Sequence, residues 1–180
     1  MDSQKRSIPE ITVKAVVLGV VLAVILGAAN AYLGLFAGMT VSASIPAAVV
    51  SMAVLRLFRR STILENNMVQ TVASSGEALA AGVVFTIPAL VIMNHWKDFD
   101  FLWVTVIGSF GGFLGVLFTI PLRRAFIVED KLMYPEGIAT AEVLKAGQTG
   151  GSDVKYIALA ALAGGLFKLA AEGLRVFGGV

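Results

Sequence analysis

The sequence predicts an all-α polytopic membrane protein, a bundle of about five transmembrane helices with one or two re-entrant or broken helical segments. The clearest sign is a run of 41 residues, 15–55, without one charged side chain. A bilayer core about 30 Å thick takes roughly 20 apolar residues per helical crossing, so this run is long enough for two. Composition agrees, because 57% of the residues are hydrophobic and 14% are charged, against about 25% charged in soluble proteins.

The predicted transmembrane domain covers residues 12–180 and follows a short cytoplasmic arm, residues 1–11. Apolar stretches bounded by charged or turn-forming residues mark the crossings. The last stretch is the weakest, because Lys168 and Glu172 interrupt it. The predicted crossings are residues 12–36, 39–55, 78–94, 101–122 and 156–174.

Positive charge predicts the orientation of these crossings. Lysine and arginine are concentrated on the N-terminal arm, between the second and third crossings, and after the fourth. All three clusters lie on one side if the N-terminus is cytoplasmic, as the positive-inside rule requires. We therefore expect a multi-pass protein of the cytoplasmic membrane. The net charge of +2 would suggest nucleic acid in a soluble protein, but basic residues on cytoplasmic loops account for it here, so we expect no nucleic-acid partner. The clusters are Lys5, Arg6 and Lys14; Arg56, Arg59 and Arg60; and Arg123 and Arg124.

The residues that most catalytic and metal sites need are scarce in this chain. It has no cysteine and one histidine, His95, which is too few for a zinc or haem site. It also lacks the glycine-rich lysine loop that holds nucleotide phosphates. We therefore expect no cofactor and no enzymatic activity. Any energy input must come from an ion gradient or from a partner.

A polar stretch, residues 64–77, precedes the third predicted crossing. On a helix, Asn66, Gln70, Ser74 and Glu77 share one face, with Asn67 and Thr71 alongside. One interpretation is an amphipathic helix on the cytoplasmic surface. However, the polar face carries amides and hydroxyls and has no lysine or arginine to hold anionic lipid. The other is a re-entrant or broken helix that lines a wet cavity, with a break near residues 75–76.

Glu77 is the most informative single residue of that stretch, because 17 uncharged residues follow it. An ionised carboxylate in the membrane costs about 2.5–3.5 kcal/mol even on lenient insertion scales. We expect Glu77 to bind a proton, to pair, or to face water. Proton coupling is one interpretation, and a solvated carboxylate at a cytoplasmic helix start is the other.

A second polar island covers residues 133–142. Pro135 suits a first helical turn, and Gly137 permits close approach of another chain segment. Glu136 and Thr140 would share a helical face. This segment either dips back into the bilayer or forms a helix in a surface loop. In the first crossing, Asn30 is predicted to make a hydrogen bond between helices.

Small residues recur at four-residue spacing on the predicted crossings. The first carries Gly19, Ala23, Gly27 and Ala31, and the fourth carries two overlapping Gly-x-x-x-Gly pairs, 108/112 and 111/115. Close packing is the main attraction between helices in lipid, so these stretches predict tight helix contacts. They indicate a packed bundle and say nothing about its substrate.

Five stretches of the chain, taken together and in order, resemble the oligopeptide transporter (OPT) family. The resemblance is to its prokaryotic branch, which is related to the yellow-stripe-like transporters. It implies proton-coupled secondary transport of small peptides, or of metals chelated by peptide-like or siderophore-like ligands. It also implies that both polar islands line the cavity. The stretches are GAANAYLGL (27–35), TVSASIP (40–46), ILENNMVQT (63–71), FTIPAL (85–90) and YPEG (134–137).

The resemblance and the polar stretches together define a candidate site. Hydrogen-bonding side chains would hold the substrate, and carboxylates would couple its movement to protons. The candidate substrate-binding residues are Asn66, Asn67, Gln70, Thr71, Ser74 and Tyr134, and the candidate proton-coupling residues are Glu77, Glu136 and Glu142.

Two other classes stay open on the sequence alone. In a pore or channel subunit, the same polar stripe would line a continuous conduit. In a non-transporting assembly subunit or a truncated product, the stripe would not form part of a transport path. Members of the family are several times longer, so the resemblance implies that this chain is an N-terminal portion. The remaining part, or a second copy, would then complete the cavity.

Overall fold

The computed structural model describes residues 10–58, 61–149, 159–160, 162–164, 166–167 and 170. Within those ranges the chain is helical and contains no strand, so the all-α prediction is confirmed. A π-helical segment, Arg124–Glu129, continues the fourth helix without a break. The helices are α1 (Val13–Ala37), α2 (Ser44–Arg56), α3 (Ile63–Ile92), α4 (Phe101–Arg123) and α5 (Pro135–Thr149).

Three helices are long and apolar enough to cross a membrane: α1 with 25 residues, α3 with 30, and α4 with its π-helical extension, 29 in all. They confirm the first, third and fourth predicted crossings. The fifth, residues 156–174, lies largely outside the described residues. At α1, Gly38 adopts a left-handed backbone with φ of 69° and ends the helix, a conformation that glycine takes readily.

The third crossing begins fifteen residues earlier than predicted, at Ile63 instead of residue 78. Thr62 and Glu65 form a capping box, each side chain bonding the other's backbone N–H, and this box starts the helix. The break predicted near residues 75–76 is wrong, because α3 runs through them. Gly76 instead lets α1 come close, since a Cβ at Gly76 would lie 2.7 Å from Ala23 Cβ.

The second crossing is also shorter than predicted. Its helix α2 has 13 residues, and residues 39–43 before it are not helical. Asn30 holds this segment, since its Nδ2 donates to Val41 O at 2.6 Å and its Oδ1 accepts from Val41 N at 3.0 Å. Non-helical backbone at membrane depth needs such partners. The predicted non-helical break thus lies between α1 and α2. Asn30 bonds the backbone of this break, whereas the sequence predicted a hydrogen bond between two helices.

Helices α1 and α3 run parallel and pack along most of their length. A Cβ added to Gly27 would lie 3.5 Å from Gly76 O, and one added to Gly34 would lie 2.7 Å from Val84 Cγ1. The small residues of α1 therefore lie against α3, as their spacing predicts.

The remaining helices position the candidate site. Helix α2 returns along the first turns of α3, and α5 packs on both α2 and α3. Helix α4 lies against α3 at Gly108 and Gly112, and no residue of α4 is buried.

Candidate functional site

The first turn of α3 sends three consecutive polar side chains in three directions. Successive residues of an α-helix are rotated by about 100°. Glu65 therefore faces α1, Asn66 faces α2, and Asn67 faces a cavity. Each direction has a different chemical role.

Glu65 is a buried carboxylate with only 1% of its surface exposed. On α1, Thr12 Oγ1 donates to Glu65 Oε1 at 2.7 Å, and Lys14 Nζ lies 3.1 Å from the same oxygen. The second oxygen accepts from Thr62 N at 3.1 Å. A buried charge is tolerated when it is paired and hydrogen-bonded in this way. Glu65 thus ties the first turn of α3 to the first turn of α1.

Asn66 is also buried, at 7% exposure. Its Oδ1 lies 3.0 Å from the hydroxyl of Ser51 on α2, and its Nδ2 donates to Thr62 O at 3.1 Å. The side chain does not line the cavity that Asn67 faces, but a smaller one of about 330 Å³ beside Arg56 and Gln148. The structure therefore separates Asn66 from the other candidate substrate-binding residues.

The larger cavity has a volume of about 810 Å³ and lies between α3, α5 and the start of α2. It brings the two polar islands of the sequence face to face. Five of the six candidate substrate-binding residues and one of the three candidate carboxylates lie on its wall. Its polar lining is Asn67, Gln70, Thr71 and Ser74 on α3; Glu136, Thr140 and Lys145 on α5; Tyr134 just before α5; and Ser44 at the start of α2.

Hydrogen bonds within α3 orient the polar wall. Gln70 Nε2 donates to Asn67 Oδ1 at 3.0 Å and to Thr71 Oγ1 at 3.1 Å. The hydroxyls of Thr71 and Ser74 donate to the carbonyls of Asn67 and Gln70, four residues back, at 2.8 and 2.7 Å. Asn67 Nδ2 and Gln70 Oε1 take no further partner among the described residues. They offer a ligand one donor group, with two N–H bonds, and one acceptor oxygen.

Two helices begin at this cavity. Ser44 is the first residue of α2, and Pro135 is the first of α5, the position where the missing proline N–H costs nothing. Glu136 follows in the first turn of α5 and accepts a hydrogen bond from the Ser42 hydroxyl. Helix N-termini carry partial positive charge, and transporters direct such ends of discontinuous helices at their ligands.

Packing against α1 shows the depth of the cavity. Val72 on the α3 segment that forms the wall lies against Gly19, and Gly76 lies against Ala23 and Gly27. These three α1 residues occupy the first half and centre of a helix whose only charged residue is Lys14. The polar stretch therefore forms the first half of a helix that is long and apolar enough to cross a membrane. This placement argues against the surface amphipathic helix.

The other two candidate carboxylates lie off the cavity wall. Glu77 is half-buried one turn beyond Ser74, at the level of the centre of α1. Glu142 is exposed and pairs with Lys145, whose Nζ lies 2.8 Å from Glu142 Oε1.

Ser42, Ser44 and Lys145 are parts of this region that the sequence did not single out. Pro46 could have indicated the first two, since a proline in the first turn of a helix marks its start.

An all-helical membrane bundle with a polar cavity at a broken helix has the architecture of a membrane transporter. Comparison with known proteins identifies the transporter family. The sequence model described as "OPT oligopeptide transporter protein" matches residues 10–177. This chain belongs to the OPT family, as the resemblance predicts, and its relatives are transporters and not enzymes.

Individual relatives are also named as transporters. The chain is 55% identical over 147 residues to a Haemophilus influenzae protein named "Putative oligopeptide transporter", covering 81% of this chain and 23% of that protein. It is 30% identical over 170 residues to the metal-nicotianamine transporter YSL1 of Arabidopsis thaliana, covering 79% and 25%. The maize iron-phytosiderophore transporter yellow stripe 1 is 34% identical over 62 residues, 34% of this chain and 9% of that one. No solved structure matches.

The chain thus spans about a quarter of the length of the first two relatives. The segment that forms the cavity wall here therefore matches only one part of each of those longer relatives.

Proposed function

We propose that this chain forms one wall of the substrate cavity in a proton-coupled secondary transporter of the cytoplasmic membrane. The transporter is a symporter of small peptides, or of metal chelates with peptide-like or siderophore ligands, and its N-terminus is cytoplasmic. The observation that carries the proposal is the cavity of about 810 Å³ in which both polar islands meet. The names of the relatives support the substrate classes.

Five side chains on the wall bind the substrate in this proposal: Asn67, Gln70, Thr71, Ser74 and Tyr134. The α3 network leaves amide atoms directed at the ligand, so binding does not require the wall to rearrange. Peptides and amino-acid-derived chelates both carry the amide, amino or carboxylate groups that these atoms bond. Asn66 has a supporting role, because its amide already joins α3 to α2.

Among the three candidate carboxylates, Glu136 is best placed to couple protons to substrate. It lines the cavity and accepts from Ser42 at the non-helical segment before α2. Protonation removes its charge, weakens that charge-assisted bond and frees the α2 start to move. Alternating access then follows from movement of the broken segment and α5 against the paired helices α1 and α3. Two further candidates remain: Glu77, which lies level with the centre of α1, and Glu142, which pairs with Lys145.

Uptake into proteoliposomes tests the proposal. The membranes hold the protein at its native length, with an acidic exterior, and the cargo is a mixture of short peptides and ferric chelates read by mass spectrometry. The proposal predicts accumulation above equilibrium that disappears when the pH gradient is collapsed. A Glu136→Gln variant should keep substrate exchange and lose the dependence on the gradient.

Two results would contradict the proposal. Flux that only equilibrates the cargo, without saturation, is the behaviour of a pore or channel subunit. No flux at all from folded protein indicates an assembly subunit without transport activity.

A further inference from the structure

The wall of the large cavity carries two opposite charges. Among the described residues that line it, Glu136 is the one acidic residue and Lys145 is the one basic residue. Both lie on α5, nine positions apart, which separates their backbones by about 13.5 Å along the helix axis. The cavity therefore has an acidic end and a basic end.

Contacts with α2 and α3 show where each end lies. The Ser42 hydroxyl, just before α2, bonds Glu136 near the start of α5, and Met52 near the end of α2 contacts Gly147 near the end of α5. Helices α2 and α5 therefore run in the same direction, opposite to α3. Gly147 and Ile63 also line the same smaller cavity. The basic end thus lies beside the first turns of α3, and the acidic end lies farther along that helix.

The free amide groups on α3 follow the same order. Asn67 Oδ1 accepts from Gln70 Nε2, so among the described residues the N–H donors of Asn67 and the oxygen of Gln70 are left for a ligand. Asn67 is the residue nearer the start of α3. Its donors therefore lie towards the basic end, and the acceptor of Gln70 lies towards the acidic end. An ionised carboxylate only accepts hydrogen bonds, so the basic end is the one that suits it.

Glu142 holds the charged group of Lys145 at this end. Lys145 Nζ lies 2.8 Å from Glu142 Oε1, and Glu142 itself is not part of the cavity wall. An ammonium has three N–H donors, so it can bond a second carboxylate while it stays paired with Glu142. Charge-assisted hydrogen bonds of this kind are stronger than those between neutral groups.

We propose that Lys145, together with Asn67, binds a carboxylate group of the substrate at the end of the cavity beside the start of α3. The inference rests on the proposed function and narrows its substrate class. The cavity takes peptides with a free C-terminal carboxylate, or chelates whose ligand keeps a carboxylate available. It discriminates against the same molecules when that carboxylate is converted to an amide.

A matched pair of peptides tests this preference. Trialanine and trialanine amide differ only at the C-terminal group, and ferric citrate serves as a carboxylate-bearing chelate. Titration calorimetry measures the Kd of each probe for the protein at its native length in lipid nanodiscs. We expect the native protein to bind at least one carboxylate probe, and to bind trialanine about tenfold more tightly than its amide, the effect of one charge-assisted hydrogen bond.

Lys145→Gln is the test variant. An exposed ion pair contributes little to stability, so this variant should fold. We expect it to bind trialanine and its amide equally and to bind ferric citrate about tenfold more weakly than the native protein does. Lys145→Arg keeps the charge and should retain the preference for the free acid. Lys97→Gln, at an exposed residue of the loop between α3 and α4, is the control and should change neither Kd.

Three results would overturn the inference: equal affinity of the native protein for the two peptides, a preference that survives in Lys145→Gln, or no binding of either carboxylate probe. Uptake of the same probes under a pH gradient separates this outcome from failure of the proposed function. Binding that depends on Lys145, without accumulation driven by the gradient, would support the carboxylate site and contradict symport. Accumulation of the peptide acid and amide alike would support symport and contradict the carboxylate site.

Discussion

The two faces of α3 show how one helix combines packing with recognition. The face towards α1 is built from small apolar residues, with glycine where the backbones come closest. The face towards α2 and α5 carries amides and hydroxyls that bond one another and line the cavity. The apolar face gives close contact at positions that only glycine fits, whereas directional hydrogen bonds orient the side chains of the polar face. Helix α1 shows the same division, because its small residues pack on α3 while Asn30 holds the following segment by two hydrogen bonds to Val41.

The largest effect should follow from breaking that single polar contact. Asn30→Leu leaves the N–H and C=O of Val41, in the non-helical segment between two apolar helices, without their partner. At about 1–3 kcal/mol for each unsatisfied group, the unfolding free energy should fall by about 2–6 kcal/mol. Unfolding in mixed detergent and SDS measures this. Tyr32→Leu, at an exposed ring that stacks on Phe36, is the control, and it should lower the unfolding free energy by far less. Equal losses in the two variants would show that the Asn30 hydrogen bonds contribute no more than a surface contact.

The apolar face can be tested with two glycines of the same helix. A Cβ at Gly76 would lie 2.7 Å from Ala23 Cβ and 3.2 Å from its Cα, whereas one at Gly82 meets nothing within 4 Å. Gly76→Ala should therefore destabilise the protein by about 1–3 kcal/mol. Gly82→Ala should be neutral or slightly stabilising, because alanine favours helix. The same SDS unfolding measures both, and a neutral Gly76→Ala would mean that α1 lies farther away than described.

The polar face should respond in binding and hardly in stability. Thr71 and Thr86 both lie on α3, and each hydroxyl donates to the carbonyl four residues back at 2.8 Å. Only Thr71 lines the large cavity and accepts from Gln70. Thr71→Val should raise the KM of uptake about threefold to tenfold, the effect of one hydrogen bond. Thr86→Val should leave it unchanged, and equal effects would remove Thr71 from the site.

Much of this arrangement can be predicted from the sequence. Hydropathy locates α1, α3 and α4 because a long charge-free run has only one stable environment. Helical periodicity finds the polar face of α3, since Gln70 and Ser74 lie one turn apart. The resemblance to the family pairs this face with the Tyr134 island, although Tyr134 lies 60 positions after Ser74 in the chain.

The rest depends on tertiary contacts. Residues 39–43 lie inside the long charge-free run, yet they are not helical, and the side chain of Asn30 on α1 holds Val41. Gly76 suits a break or a close approach equally well, and the presence of Ala23 opposite decides between them. Asn66 and Asn67 are identical residues with different roles, because a rotation of about 100° sends one to Ser51 and the other to the cavity.

Substrate protection tests the central claim, that the polar face of α3 lines the substrate cavity. Thr71→Cys and Thr86→Cys place a single thiol in this chain on the cavity wall or on a part of the same helix outside it. A small polar thiol reagent is applied to membranes with and without transported cargo. The account predicts that the reagent labels Thr71→Cys and that cargo slows this labelling, while cargo leaves labelling of Thr86→Cys unchanged. Labelling of Thr71→Cys that is absent, or that saturating cargo does not slow in a protein that transports it, would contradict the account.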